Sequence, residues 1–210
     1  MLQMLYFCTA KNKLKHQKFM KRLIILIAVT GFLFSCSNSS QAPATDDSAT
    51  QINAADDNQT VFENDMENVA SLPAFWINSK VVVKMDEVPA HSGNFASKLD
   101  ATEKYSITFR EYFSNINARL PKRVVVNGWY YLPEANEKSG MVMDINENNQ
   151  TYIWKAYNFS DVSNITGQWQ EFTAYFTIDQ PIKPEHQIKI FASGFGEKLF
   201  IDDLKISFEY

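Results

Sequence analysis

From Val61 to Tyr210 the apolar side chains recur at every second residue, not at every third or fourth. Tyr105, Ile107, Phe109 and Phe113 stand against Ser106, Thr108, Arg110 and Tyr112. Val124, Val126, Gly128 and Tyr130 alternate with Val125, Asn127, Trp129 and Tyr131. Phe172, Ala174, Phe176 and Ile178 form a third such set, and Ile188, Ile190 and Ala192 a fourth, with Lys189, Phe191 and Ser193 on the other side. In the last run, Phe200 to Tyr210, Asp202 shares a face with Leu204, Ile206 and Phe208. A period of two sends successive side chains to opposite faces of an extended strand, so one face of each segment is core and the other solvent. Further strands are expected at 61–67, 76–85, 94–99, 140–146 and 151–159. Turn formers punctuate the runs: Ser92-Gly93-Asn94, Ser139-Gly140, Asn148-Asn149, Thr166-Gly167, Pro181 with Pro184, and Gly194-Phe195-Gly196. No body segment of ten or more residues carries a helical period. About ten strands in about 150 residues predict an all-β fold, an antiparallel two-sheet β-sandwich of the jelly-roll kind over 61–210. An up-and-down barrel is the competing architecture.

The chain ahead of this body reads as an address. Lys21 and Arg22 follow Met20, and Leu23 to Phe34 is a 12-residue apolar run. A bilayer span needs about 20 apolar residues, so the run has the length of a secretory signal core. It closes on Leu33-Phe34-Ser35-Cys36. Those four residues resemble a bacterial lipobox, with Phe34 bulkier than the small residue usual there. The resemblance implies a signal peptide over 20–35, cleavage before Cys36 and acylation of Cys36. Two or three acyl chains anchor stably where one is marginal. Residues 1–19 read as an upstream extension from a mis-assigned start. Cys8 would be lost with them, leaving the mature chain no cysteine pair. Residues 37–60 are Ser, Ala, Asp, Asn, Gln and Thr with one Ile and one Pro. Such a segment has too little apolar surface to offset ordering entropy, so 36–60 is expected to be a flexible tether. The implied location is the bacterial cell envelope, lipid-anchored in the outer membrane.

Charge narrows the partners. Six bases and no acids lie in residues 1–35, which leaves 14 bases against 24 acids in the remainder. So acidic a body lacks the basic footprint that nucleic acid demands. Two cysteines and three histidines exclude a cysteine-rich metal site and make a histidine-based metalloenzyme improbable.

Several short signatures follow one another in order: Asn64-Asp65-Met66-Glu67, Trp76, Ala90-His91-Ser92-Gly93-Asn94-Phe95, Asn127-Gly128-Trp129-Tyr130-Tyr131, Trp169-Gln170-Glu171-Phe172 and Phe200-Ile201-Asp202-Asp203-Leu204. Together they resemble the carbohydrate-binding modules of the galactose-binding-domain-like jelly-roll superfamily. An Asp202 on the core face must be hydrogen-bonded, paired or metal-bound, because a lone buried charge costs several kcal/mol. Two readings follow, backbone N–H donors or a cation. The resemblance implies the second, a structural Ca²⁺ held by Asp202, Glu67 and oxygens around His91 and Ser92; Ca²⁺ takes six to eight hard oxygen ligands.

The resemblance further implies a sugar platform at Trp129, since pyranose C–H groups stack on aromatic faces. Trp129 and Tyr131 occupy the face of their strand opposite the core. Trp154 with Tyr152 and Tyr112 with Arg110 are the other outward candidates, Arg110 as a partner for sugar hydroxyls or an acidic glycan. Trp76 and Trp169 are assigned to packing, and His186, in a Pro-rich turn, to the surface. No catalytic residue emerges. Asp86/Glu87 and Asp202/Asp203 are adjacent and point to opposite faces, whereas a glycosidase needs two acids flanking one bond. There is no phosphate loop, no H-E-x-x-H and no C-x-x-C. The expectation is non-catalytic glycan binding, with docking of an envelope protein as the alternative.

Overall fold

The computed structural model describes residues 58–161, 163 and 165–210. The signal segment, Cys36 and nearly all of the tether lie outside the described residues. Eleven strands occur within them: β1 Gln59–Asn64, β2 Trp76–Ile77, β3 Val82–Lys84, β4 Phe95–Leu99, β5 Thr108–Tyr112, β6 Arg123–Tyr131, β7 Gly140–Glu147, β8 Gln150–Asn158, β9 Trp169–Thr177, β10 Gln187–Ser193 and β11 Leu199–Glu209. Gln59 and Thr60, assigned above to the tether, already belong to β1. The α-helix α1 (Phe113–Ile116) is a single turn.

The strands form two antiparallel sheets. One has six strands in the order β3-β4-β11-β6-β9, with β1 also on β11; the other has five, β2-β5-β10-β7-β8. β11 is long enough for β4 to pair with its first residues and β1 with its last, while β6 runs along its other edge. The chain crosses between sheets at every connection except β3 to β4 and β7 to β8. This is jelly-roll winding: only β3–β4 and β7–β8 are sequential neighbours, whereas an up-and-down barrel pairs every strand with the next.

The inward positions of the two sheets meet in one core. Phe62 and Phe109, one from each sheet, lie 4.8 Å apart and both touch Phe208. At the other end Tyr130 stacks on Phe159 at 4.2 Å. Offset and edge-on ring pairs of this kind add about 0.5–1.5 kcal/mol each beyond area burial. The β7–β8 hairpin turns on Asn148 and Asn149, both at positive φ, the type I′ geometry Asn tolerates.

Three departures from strict alternation shape the faces. The expected strand 76–85 is two short strands in different sheets, separated by Asn78 at φ 65° and the 3₁₀ turn Ser79–Val81. The expected strand 105–113 is regular only over Thr108–Tyr112. Before it, side chains supplement a broken ladder: Ser106 N–H still donates to the Ala192 carbonyl, while Asn78 Nδ2 donates to the carbonyls of Tyr105 and Ser106, and Ser97 Oγ accepts the Ile107 N–H. One extra residue lies between the Tyr105–Ser193 bridge and the β5–β10 ladder, so Tyr105 is not a core residue but 52% exposed. Third, β11 carries a bulge between Asp202 and Lys205, with Asp203 at φ 49°. Gly128 of β6 lies opposite it, where a Cβ would meet Leu204 at 3.0 Å and the Phe172 ring at 3.1 Å.

Candidate functional site

The bulge in β11 changes the role of Asp202. Ile201 pairs with Tyr130 and Ile206 with Val126, so both face the core; Asp202 pairs with Trp129 and shares its outward face. Alternation counted through the bulge put Asp202 on the Leu204 face, and the extra residue reverses this. Asp202 is nonetheless fully buried, because the loop after β3 lies over it. Its Oδ2 accepts the N–H groups of His91 (3.0 Å) and Ser92 (3.2 Å), and its Oδ1 that of Asp203 (2.9 Å). Burial pushes its carboxyl up to about 7, the neighbouring Asp203 charge pushes the same way, and the N–H donors only partly oppose them.

The same loop is held at three further points. Asp203 accepts from Ser92 Oγ at 2.7 Å and lies 2.6 Å from His91 Nδ1. Glu67 Oε1 accepts the N–H groups of Asn94 and Phe95. Trp169 Nε1 donates to the Pro89 carbonyl. The loop can press against Glu67 because Gly93 stands at the tight point, at φ +56°. Thus the His91 ring lies flat on Trp129 at 3.7 Å and edge-on to Trp169 at 6.0 Å. Tyr131 packs edge-on against Trp169 at 5.7 Å and Phe200 at 5.9 Å. The platform expected at Trp129 and Tyr131 is therefore aromatic and outward, as the alternation implied, but His91 roofs Trp129.

Glu67, His91, Ser92 and Asp202 come together as the calcium expectation required. Their donor chemistry differs from what the ion needs. The turn presents four backbone N–H groups to the two carboxylates, and the His91 ring is engaged with Asp203. Among the described residues, no three His, Cys, Asp or Glu side chains are grouped so as to hold a metal. In this arrangement the residues do not fit Ca²⁺; of the two readings of a buried Asp202, the geometry supplies N–H donors.

The outer face of the five-stranded sheet is open. A groove of about 620 Å³ runs over β5, β10, β7 and β8. Phe191 forms its apolar floor and is met edge-on by Tyr105 at 5.1 Å and Trp154 at 5.9 Å. Tyr105 and Trp154 are both about half exposed, at 52% and 51%. Register sets a polar row beside them: Arg110 pairs with Lys189, Lys189 with Asp144 and Asp144 with Trp154. Asp144 accepts from Asn146 Nδ2 at 2.7 Å, Lys189 donates to Asn146 Oδ1 at 2.6 Å, and Lys189 approaches Asp144 at 3.8 Å.

Of the outward candidates, Trp154 and Arg110 line this groove. Tyr152 does not. A register shift in the β7–β8 pair takes it off the Trp154 face; it packs against the core and His186, with its hydroxyl on the Pro181 carbonyl. Tyr112 is exposed but borders a separate depression with Glu147 and His186. His186 is buried rather than on the surface: Pro184 and Lys183 turn the chain back so that its carbonyl receives the Phe113 N–H. Trp76 is core, and Trp169 holds the loop, both as packing residues. Sequence reasoning missed Tyr105, which it placed inside, and Phe191, Lys189 and Asp144. The outward parity of Lys189 and Phe191 was readable; that they share a groove with Trp154 required the strand order.

Comparison with known proteins finds likenesses only among solved structures, all at low identity. No protein-family model and no curated protein matches the chain. The solved structures similar to it include several carbohydrate-binding modules. One is a xylan-binding module from Paenibacillus barcinonensis, at 13% identity and TM-score 0.43 over 70% of this chain and 98% of that one. Another is the C-terminal module of a marine laminarinase from Zobellia galactanivorans, at 11% identity and TM-score 0.39, again over 70% and 98%. A family 16 carbohydrate-binding module aligns at 12% identity and TM-score 0.39 over 60% of this chain and 84% of that one.

Proposed function

We propose that the sandwich is a non-catalytic glycan-binding module, and that acylated Cys36 holds it by a short tether at the bacterial outer membrane. The observation that carries this reading is the groove on the five-stranded sheet. Two half-exposed rings, Tyr105 and Trp154, flank a buried aromatic floor, with charged and amide side chains along one side. Sugars ask for this combination, since apolar C–H faces stack on rings while equatorial hydroxyls need convergent polar groups. The acids lining the groove are engaged elsewhere, Glu103 by Lys80 at 2.7 Å and Asp144 by Asn146 and Lys189, which supports binding without hydrolysis. The lipobox-like Leu33-Phe34-Ser35-Cys36 supports the anchor.

The test is a glycan-panel binding assay on the detergent-solubilised full chain, with Trp154→Ala and Trp129→Ala compared. Binding to one glycan class is expected, weakened at least tenfold by Trp154→Ala, equivalent to about 1.4 kcal/mol, and unaffected by Trp129→Ala. Loss with Trp129→Ala alone would move the site to the six-stranded face. No binding by a folded protein would favour an envelope protein as the partner. Acylation is checked by the mass of the purified protein and its loss in Cys36→Ser.

A further inference from the structure

The groove contains cations that no described carboxylate balances. Lys189 and Asp144 are closed into a triangle with Asn146, and Glu103 is held by Lys80. Arg110, on the outer face of β5, and Lys104, on the rim beside Tyr105, form no ion pair with any described carboxylate, and both are exposed. The remaining charge of the groove is therefore positive, in a body with ten more acids than bases beyond residue 35. Acidic partners abound for a free arginine in such a domain; elsewhere Arg123 pairs with Glu209 and Lys205 with Glu63.

Position gives the cation its meaning. Arg110 begins the cross-strand row that ends at Trp154, three strand spacings away, or about 14 Å. A ligand stacked on Trp154 and Tyr105 thus extends toward a guanidinium with no ion-pair partner among the described residues. A guanidinium offers a planar fork of donors that matches a carboxylate in two parallel bonds. We infer that the glycan bound in this groove is anionic, a uronic-acid-containing polysaccharide whose carboxylate is received by Arg110 while its ring faces stack on Trp154 and Tyr105. This rests on the glycan-binding reading and adds the ligand's charge and the residue that selects it. Lys104 strengthens the field at the rim without fixing geometry.

The test uses the detergent-solubilised full chain and three polysaccharides that bear uronic acids, polygalacturonate, alginate and glucuronoxylan, each paired with its carboxyl-reduced form. Dextran sulfate supplies an anion of different geometry. Affinity electrophoresis and calorimetry are run at 20 and 200 mM NaCl. At least one uronate is expected to bind tenfold or more tightly than its reduced form, with the advantage shrinking at the higher salt. Arg110→Gln is expected to bring the two forms within twofold of each other while retaining affinity for the reduced one. Equal binding of both forms by the wild type, lost in Trp154→Ala, overturns the charge inference and leaves glycan binding standing. Binding of dextran sulfate without any uronate overturns the carboxylate. Binding of no polysaccharide by a protein with native near-UV circular dichroism overturns the glycan reading itself.

Discussion

The two sheets present aromatic rings to the outside in the same way and put them to different uses. On the six-stranded sheet, Trp129 is covered by the His91 ring, and the loop that carries His91 is pinned by Asp202, Asp203, Glu67 and Trp169. On the five-stranded sheet, Trp154 and Tyr105 are half exposed beside the Phe191 floor and two unpaired cations. An outward aromatic on a strand is therefore an opportunity, and the loop opposite decides whether it becomes packing or a binding surface. Covering one face and leaving the other open also localises function, because exposed apolar area is concentrated where a ligand can use it.

The contrast can be broken at the pinned face. The largest effect is expected from pH. The Asp202 carboxyl is raised to about 7 by burial, above the ordinary range near 4. Between those values the folded protein holds a proton that the unfolded chain does not. Stability from this group is therefore full below about pH 4 and lost as pH rises through about 7. The loss amounts to a few kcal/mol, at about 1.4 kcal/mol per pH unit at its steepest. Denaturant midpoints from pH 4 to 8 check this, and an Asp202→Asn variant that keeps the same slope would exclude Asp202 as its source.

Next in size is Gly93→Ala. The new Cβ would lie 2.3 Å from the Glu67 carboxyl carbon, at a φ that side chains rarely adopt. The expected cost is about 2–3 kcal/mol, a melting temperature lower by roughly 5–10 °C, with groove binding unchanged. Equal weakening of glycan binding would show that the two faces are coupled. Asp203→Ala removes the partners of His91 Nδ1 and Ser92 Oγ and should cost about 1–2 kcal/mol. It should also raise the accessibility of tryptophan to iodide, as the roof over Trp129 loosens; unchanged quenching would mean that stacking alone keeps His91 in place. The smallest effect is expected from Ca²⁺. With N–H groups on Asp202 and on Glu67 Oε1, calcium and EDTA should leave the melting temperature within about 1 °C of each other. A rise of several degrees with calcium would restore the ion to this loop.

Much of the fold was legible. The cores of β6, β9, β10 and β11 lie where the period of two placed them, and Asn148-Asn149 is the turn it promised. Where the reading went astray, one residue had slipped out of phase. The bulge at Asp203 turned Asp202 outward, a register shift separated Tyr152 from Trp154, and one extra residue between the Tyr105–Ser193 bridge and the β5–β10 ladder turned Tyr105 outward. Alternation carries no memory across such a fault, because a single extra residue reverses every face after it. His186 was misplaced for another reason: turn composition speaks for exposure on average, whereas its burial depends on Tyr152 from a distant strand.

The sequence by itself determined the fold class, the body's acidity and the supply of outward aromatics, because side-chain period and composition are local properties. Tertiary structure alone decided which aromatics stay open. The roof over Trp129 joins residues 91 and 129, the acid that pins it lies at 202, and the groove gathers Tyr105, Trp154 and Phe191 from three separate segments. Such contacts depend on strand order and on bulges, which no local period encodes.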